Sequence, residues 1–252
     1  MKKITIYICS ILLIFTFHSC EPNELDEPTE VSMTVSVIGR GFINSGEDDE
    51  DDEEDEDENG NEATGDKKAG LSIDGGSLYV SEIEFDGIRE NTEDYYFSKT
   101  FDEPLHADLY SDNLDRNVTF SVPQGSYSKV EMTIYFTKSD TLPAFLLTGE
   151  FQLGNAERKD VEIEFDEAEF ELTLYNIEDE KQILFTKSES RNINIQLNLN
   201  KLLSPLNTGE LLQAESFQSG QKEKIIISAQ HNDNLYYNLE TRIERSFRAI
   251  IK

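Results

Sequence analysis

Val130-Glu131-Met132-Thr133-Ile134-Tyr135-Phe136 is the stretch on which the fold class turns. Val130, Met132, Ile134 and Phe136 alternate with Lys129, Glu131, Thr133 and Tyr135. Successive side chains of an extended chain point to opposite faces, so this segment predicts a β-strand with one face buried and the other wet. Just ahead of it, Val122-Pro123-Gln124-Gly125-Ser126-Tyr127 has Pro and Gly in places suited to a turn. Ahead of the turn, Val118, Phe120 and Val122 alternate again and stop at Pro123.

Outward from this strand–turn–strand unit the β signal is nearly continuous. Leu78 to Phe85 is apolar enough for a strand and is entered from Gly75-Gly76. Phe145 to Leu153, Val161 to Phe165, Phe170 to Tyr175, Ile183 to Thr186 and Ile193 to Leu199 read as further strands. Their outward positions are often acidic, as at Glu162, Glu164, Glu169 and Glu171. Near the start, Val31, Met33, Val35 and Val37 alternate with Ser32, Thr34 and Ser36, a first strand with one buried face. Short strands at intervals of about 8–12 residues predict a mainly β fold, an antiparallel β-sandwich over residues 31–200.

The tail changes period. Asn200 to Leu203 predicts a helical turn and Ile225 to Ser228 a last strand. His231-Asn232-Asp233-Asn234 offers N-cap side chains, and Leu235, Leu239, Ile243, Phe247 and Ile250 follow at helical spacing. Asn234 to Ile251 is therefore expected to be an amphipathic helix, with Glu244 and Arg248 paired four residues apart. Residues 201–252 are expected to form this strand and helix and to pack on the domain.

The first twenty residues bear on topology. Lys2 and Lys3 precede an apolar run, Ile4 to Phe17, that ends at His18-Ser19-Cys20. The pattern is that of a secretory signal over residues 1–19. The run is fourteen residues long, short of the about 20 needed to span a membrane. A cysteine just past the cleavage point predicts a lipoprotein, anchored to a membrane through lipid on Cys20. Each buried CH₂ of an acyl chain contributes about 0.8 kcal/mol. Residues 20–30 then read as an acidic tether. Cys9 and Cys20 are the two cysteines of the chain, so after cleavage and acylation no thiol is left for a disulfide or a nucleophile.

The formal charge is −30, and Glu47 to Glu58 is an unbroken run of twelve acids. Residues 45–70 cannot bury apolar surface and repel themselves, so a disordered acidic insertion is expected there. The field disfavours nucleic acid and anionic lipid heads as partners. Within the insertion, Asp55, Asp57 and Asn59 precede Gly60, and Asp66 closes a twelve-residue spacing. Oxygen ligands at positions 1, 3, 5 and 12 with glycine at 6 are what a calcium loop uses. Glu62 stands where such loops carry an apolar residue, and Asp66 is shorter than the usual bidentate Glu. Calcium is the one cofactor this chain suggests, and diffuse cation binding by a polyanion competes with a specific site.

Catalytic patterns are poor. After cleavage the chain keeps only His106 and His231, and it has no Gly-x-Ser-x-Gly elbow. Acidic residues are too many to single out a hydrolytic pair, and no enzyme is expected. There is no Trp; Tyr95-Tyr96-Phe97 and Tyr236-Tyr237 are the aromatic groups that could meet a sugar face. The expected function is a lipid-anchored, non-catalytic interaction module on the cell surface. The alternative is a glycan-binding accessory protein of a polysaccharide-uptake system.

A resemblance supports this placement. The relaxed box Phe17-His18-Ser19-Cys20, with Glu21, Glu24, Asp26 and Glu27 behind it, resembles the leaders of Bacteroidota surface lipoproteins. Val122-Pro123-Gln124-Gly125-Ser126-Tyr127-Ser128-Lys129-Val130 is similar to a hairpin entrance common in their transthyretin-like and fimbrillin-like β-sandwiches. The resemblance implies display on the outer face of the outer membrane and a sandwich of no assigned activity. It brings no catalytic residue with it.

Overall fold

A computed structural model describes residues 27–39, 42–44, 70–111, 113–138, 142–154, 158–176, 182–187 and 190–251. Cys20 and the loop Asp55, Asp57, Asn59 and Asp66 lie outside the described residues, as do the leader, most of the tether and the acidic insertion. The strands are β1 (Pro28–Ile38), β2 (Phe42–Asn44), β3 (Gly70–Arg89), β4 (Tyr95–Asp108), β5 (Asn113–Leu114), β6 (Val118–Pro123), β7 (Gly125–Thr137) and β8 (Phe145–Gln152). They continue as β9 (Lys159–Phe165), β10 (Glu167–Asn176), β11 (Ile183–Phe185), β12 (Arg191–Asn198), β13 (Ser216–Ser219), β14 (Lys222–Ile227) and β15 (Phe247–Ile251). Among the described residues there are three helices, α1 (Leu199–Leu203), α2 (Thr208–Gln213) and α3 (Asp233–Ser246).

The strands form two sheets of a β-sandwich. One runs β6-β1-β12-β15 and takes in the end of β10; the other runs β13-β14-β9-β8-β3-β7 and takes in the start of β10. β10 thus belongs to both, pairing β7 through Glu167–Thr173 and β15 through Leu174–Asn176. Rings from the two sheets meet in the core. Phe97 lies 4.9 Å from Phe120, and Phe247 lies 6.0 Å from both Phe136 and Phe145.

The expected sandwich is present, but its pairing is mixed rather than purely antiparallel. β1 with β12, β10 with β15, and β14 with β9 are parallel. Parallel neighbours need long crossovers; β1 and β12 are about 160 residues apart in sequence, as the Ser32–Asn192 bond shows.

The β6–β7 turn is a tyrosine corner. Tyr127 is fully buried, and its hydroxyl donates to the Pro123 carbonyl at 2.8 Å. That bond folds the chain back as it passes from one sheet to the other. Gly125 has φ +143°, a region closed to side chains with a Cβ. Tyr127 packs against Phe185 at 5.1 Å and Phe85 at 6.4 Å, both edge-on. The Arg89 guanidinium lies 5.9 Å from its ring centre and donates to the Gln124 carbonyl at 2.9 Å.

β3 is two and a half times as long as the expected Leu78 to Phe85. Its buried set changes phase twice: Leu71 and Ile73, then Leu78 and Val80, then Ile83 and Phe85. The changes coincide with register shifts at Ile73/Gly75 and Val80/Glu82. A bulge adds a residue to one strand and turns the following side chains over.

The expected helix from Asn234 to Ile251 is corrected at its end. α3 stops at Ser246, and Phe247 to Ile251 is a strand between β10 and β12. Leu235, Leu239 and Ile243 form the buried helical stripe; Phe247 and Ile251 are buried as strand residues. Two-sided pairing satisfies the backbone of this β-prone run and outweighs the continuing helical period. The expected Glu244–Arg248 pair gives way, because Arg248 Nε donates across the sheet to Gln196 Oε1 at 2.9 Å. The strand expected at Ile225 to Ser228 is β14, and β15 follows it.

The capping expected from His231 to Asn234 also differs. Asn232 is the N-cap residue of α3, in the left-handed region at φ 52°, but its side chain makes no cap bond. Its amide donates to the Glu215 carbonyl at 3.0 Å and the Ile226 carbonyl at 2.7 Å, and accepts from the Glu215 N–H at 2.7 Å. The side chain ties the helix start to the β13–β14 hairpin instead.

Candidate functional site

β1 and β12 run side by side and end together, Ile38 opposite Asn198. There the chain turns into α1, whose N-cap Asn198 accepts from the Lys201 N–H at 3.0 Å. Leu199, Leu202 and Leu203 are buried and bring α1 against α3. This packing leaves Lys201 exposed beside Arg242 and Arg245 of α3. The three cations line an open groove of about 470 Å³. Asn198, Asn200, Ser204 and Ser246 complete its wall.

The groove contrasts with the rest of the molecule. The chain carries −30, yet among the described residues the lining has three cations and no carboxylate. Among the described residues, none of Lys201, Arg242 and Arg245 forms an ion pair. Several cations elsewhere are engaged with acids. Lys222 meets Glu150 and Asp160, Lys224 meets Glu162 at 2.7 Å, and Lys159 meets Glu223 at 2.6 Å. The last turn of α3 supplies a reason for Arg245, since a helix carbonyl end favours a cation. Lys201 likewise stands in the last turn of the short helix α1. Charges more than about 8 Å away are largely screened at physiological salt, so the three cations, with Glu244 beside Arg245 as the near acid on α3, count for more here than the chain's total charge. What they can do is hold an oxyanion by charge-assisted hydrogen bonds.

The residues singled out in the sequence are dispersed. Tyr95 and Phe97 are packing groups, 6.1 and 5.8 Å from Phe85. Tyr96 points the other way, 58% exposed, over a small acidic hollow with Glu84, Asp86, Glu131 and Thr133. Its hydrogen bond to Glu84 raises its phenol above the ordinary value. Tyr236 is buried against Phe165, its phenol pushed up to about 12 by burial first and Glu240 second, while Tyr237 is 54% exposed. His106 lies 5.1 Å from Tyr79, and His231 stands edge-on to Phe217 at 4.7 Å, each held in a packing contact of its own. Among the described residues no three His, Cys, Asp or Glu side chains are grouped as metal ligands. Glu164 is the one described carboxylate raised above its ordinary value, by burial first and by Glu162 and Asp166 second.

The groove itself is absent from the sequence reading. The only local trace is Arg242 and Arg245 three apart on a helix. Lys201 joins them only through the packing of α1 on α3. A total charge of −30 averages such a patch away.

No protein-family profile matches the chain, and no curated protein does. Among solved structures, the fold is similar to that of MbnP from Methylosinus trichosporium over 71% of this chain and 78% of that one, with 10% identity and a TM-score of 0.33.

Proposed function

We propose that this chain is a non-catalytic interaction module, held to the outer membrane by lipid on Cys20 and facing the cell exterior. The observation that carries this reading is the position of the cationic groove relative to the tether. Glu27 opens the first described segment. It is fixed at that end by an ion pair with Lys187 at 2.5 Å and by the Gln124 N–H, which donates to its carbonyl at 3.1 Å. From there the eleven residues of β1 lead to the groove. At about 3.3 Å per residue the groove lies roughly 35 Å from the tethered end. A module tethered this way presents the groove away from its own membrane.

Labelling with an alkyne fatty acid, combined with protease treatment of intact cells, tests the reading. The wild-type chain should take the label and be digested from outside. Cys20→Ser should take no label and leave the membrane fraction. A labelled chain that stays protected in intact cells would refute outward display, and an unlabelled wild type would refute the anchor. The glycan-binding reading also has a specific observation in its favour, a neutral hydrogen-bonding sheet face that leads into the groove.

A further inference from the structure

We infer that the groove and the outer face of β1 and β12 form one binding site for an acidic polysaccharide. A carboxylate or sulfate group sits at Lys201, Arg242 and Arg245, and the sugar hydroxyls lie along the strands. The inference rests on the interaction-module reading and names its ligand class.

The sheet face provides an observation independent of the groove. On β1 it carries Ser32, Thr34 and Ser36, each half-buried and each opposite a β12 amide. Asn192 Nδ2 donates to Ser32 Oγ, Thr34 Oγ1 to Asn192 Oδ1, and Ser36 Oγ to Asn194 Oδ1, all at 2.9 Å. The β12 row continues at two-residue spacing to Asn198, which lines the groove. On β6, next to β1, Thr119 and Ser121 are exposed. These bonds hold the half-buried hydroxyls and Asn192 in fixed positions and leave them further donors and acceptors, while Asn194 and Gln196 are buried and brace the row.

Acid is sparse on this surface. Residues 31–39 and 191–209 contain no Asp or Glu, in a chain that has 52, and Glu30, exposed at the end of β1 far from the groove, is the acid that shares the Ser32 face. Hydroxyl-rich neutral positions beside unpaired cations match a ligand that is itself hydroxyl-rich with spaced negative charge. Nucleic acid fits less well. Its charge is denser, about one per 3.4 Å of each strand, and single strands are held by aromatic stacking. The strip between the paired strands carries no ring.

The test is a titration of the full chain in detergent, at about 0.15 M salt, with chondroitin sulfate, polygalacturonate, neutral dextran, polyglutamate and inorganic sulfate as probes. Saturable binding of at least one acidic polysaccharide, tighter than polyglutamate and absent for dextran, is the expected result. Arg242→Ala with Arg245→Ala, both on the exposed side of α3, should weaken that binding about tenfold or more. Thr34→Ala should weaken polysaccharide binding while leaving sulfate binding unchanged. Equal affinity for polyglutamate and polysaccharide would overturn the inference, as would dextran binding or no binding to any probe. Fatty-acid labelling and surface exposure are read separately, so the ligand and the anchored module can fail independently.

Discussion

Replacing Tyr127 by Phe removes one oxygen from the centre of the structure and leaves the ring in place. The lost atom donates to the Pro123 carbonyl at 2.8 Å, inside a turn whose phenol is fully buried. Burial also raises the phenol well above its ordinary value, so the group is a donor at every working pH. Depriving a part-buried carbonyl of its donor costs about 1–2 kcal/mol. Tyr127→Leu also loses the edge-on contacts with Phe85 and Phe185 and the Arg89 guanidinium near the ring. Its expected cost is about 3–5 kcal/mol. In a chain of this size each kcal/mol moves the melting temperature by about 2–4 °C. Urea unfolding followed by circular dichroism should show both variants with a lower midpoint and an unchanged slope. If Tyr127→Phe stayed within about 0.3 kcal/mol of the wild type, the hydroxyl would not be what secures the corner. If it cost as much as Tyr127→Leu, the ring contacts would carry none of the energy assigned to them.

Further expectations concern single positions. A Cβ on Gly149 would stand 2.0 Å from the Ser72 carbonyl oxygen and 2.9 Å from the Ile73 Cα. Gly149→Ala should therefore cost about 2–3 kcal/mol in urea unfolding, and a variant as stable as wild type would contradict the β3–β8 register. Asn232→Ala removes three hydrogen bonds to Glu215 and Ile226 from a left-handed residue, for a loss of about 2–4 kcal/mol. Hydrogen exchange should rise at the Glu215 amide, and unchanged protection there would remove Asn232 from its role as a tie. Glu164 holds its proton to higher pH in the folded state than in the unfolded state. The native state then loses stability as pH rises from the ordinary carboxylate value through the raised one. Glu164→Gln should raise the melting temperature near neutral pH and have no effect at about pH 3; a gain of equal size at both would point to a cause other than charge.

What could be read from the sequence was decided by how local the signal is. Val130 to Phe136 and Phe145 to Gln152 keep strict alternation through a full strand and fold as read. β3 was half hidden because two bulges reverse its phase, so its apolar residues follow no single period. Phe247 to Ile251 reads as helix in the sequence because its residues also fit the helical stripe that precedes them. Only the pairing with β10 and β12 settles the choice. The parallel pairs are illegible for the same reason: nothing near Val31 indicates that Arg191 will lie beside it. The groove needs two helices and a strand end in contact, and its cations are unremarkable one by one. The aromatic groups named as sugar contacts turned out to be split between core and surface, since Tyr95 and Tyr96 alternate as strand neighbours must.

The placement of β15 has a consequence for how the protein is made. This strand fills a gap in the middle of its sheet, and its sequence lies at residues 247–251. β12 and β10 cannot be bridged until that segment has left the ribosome. A nascent chain shorter than this holds two half-sheets with open inner edges, which are templates for wrong pairing until they are closed. The earliest strand, β1, pairs with β6 first and waits on β12, some 160 residues downstream, for its second neighbour.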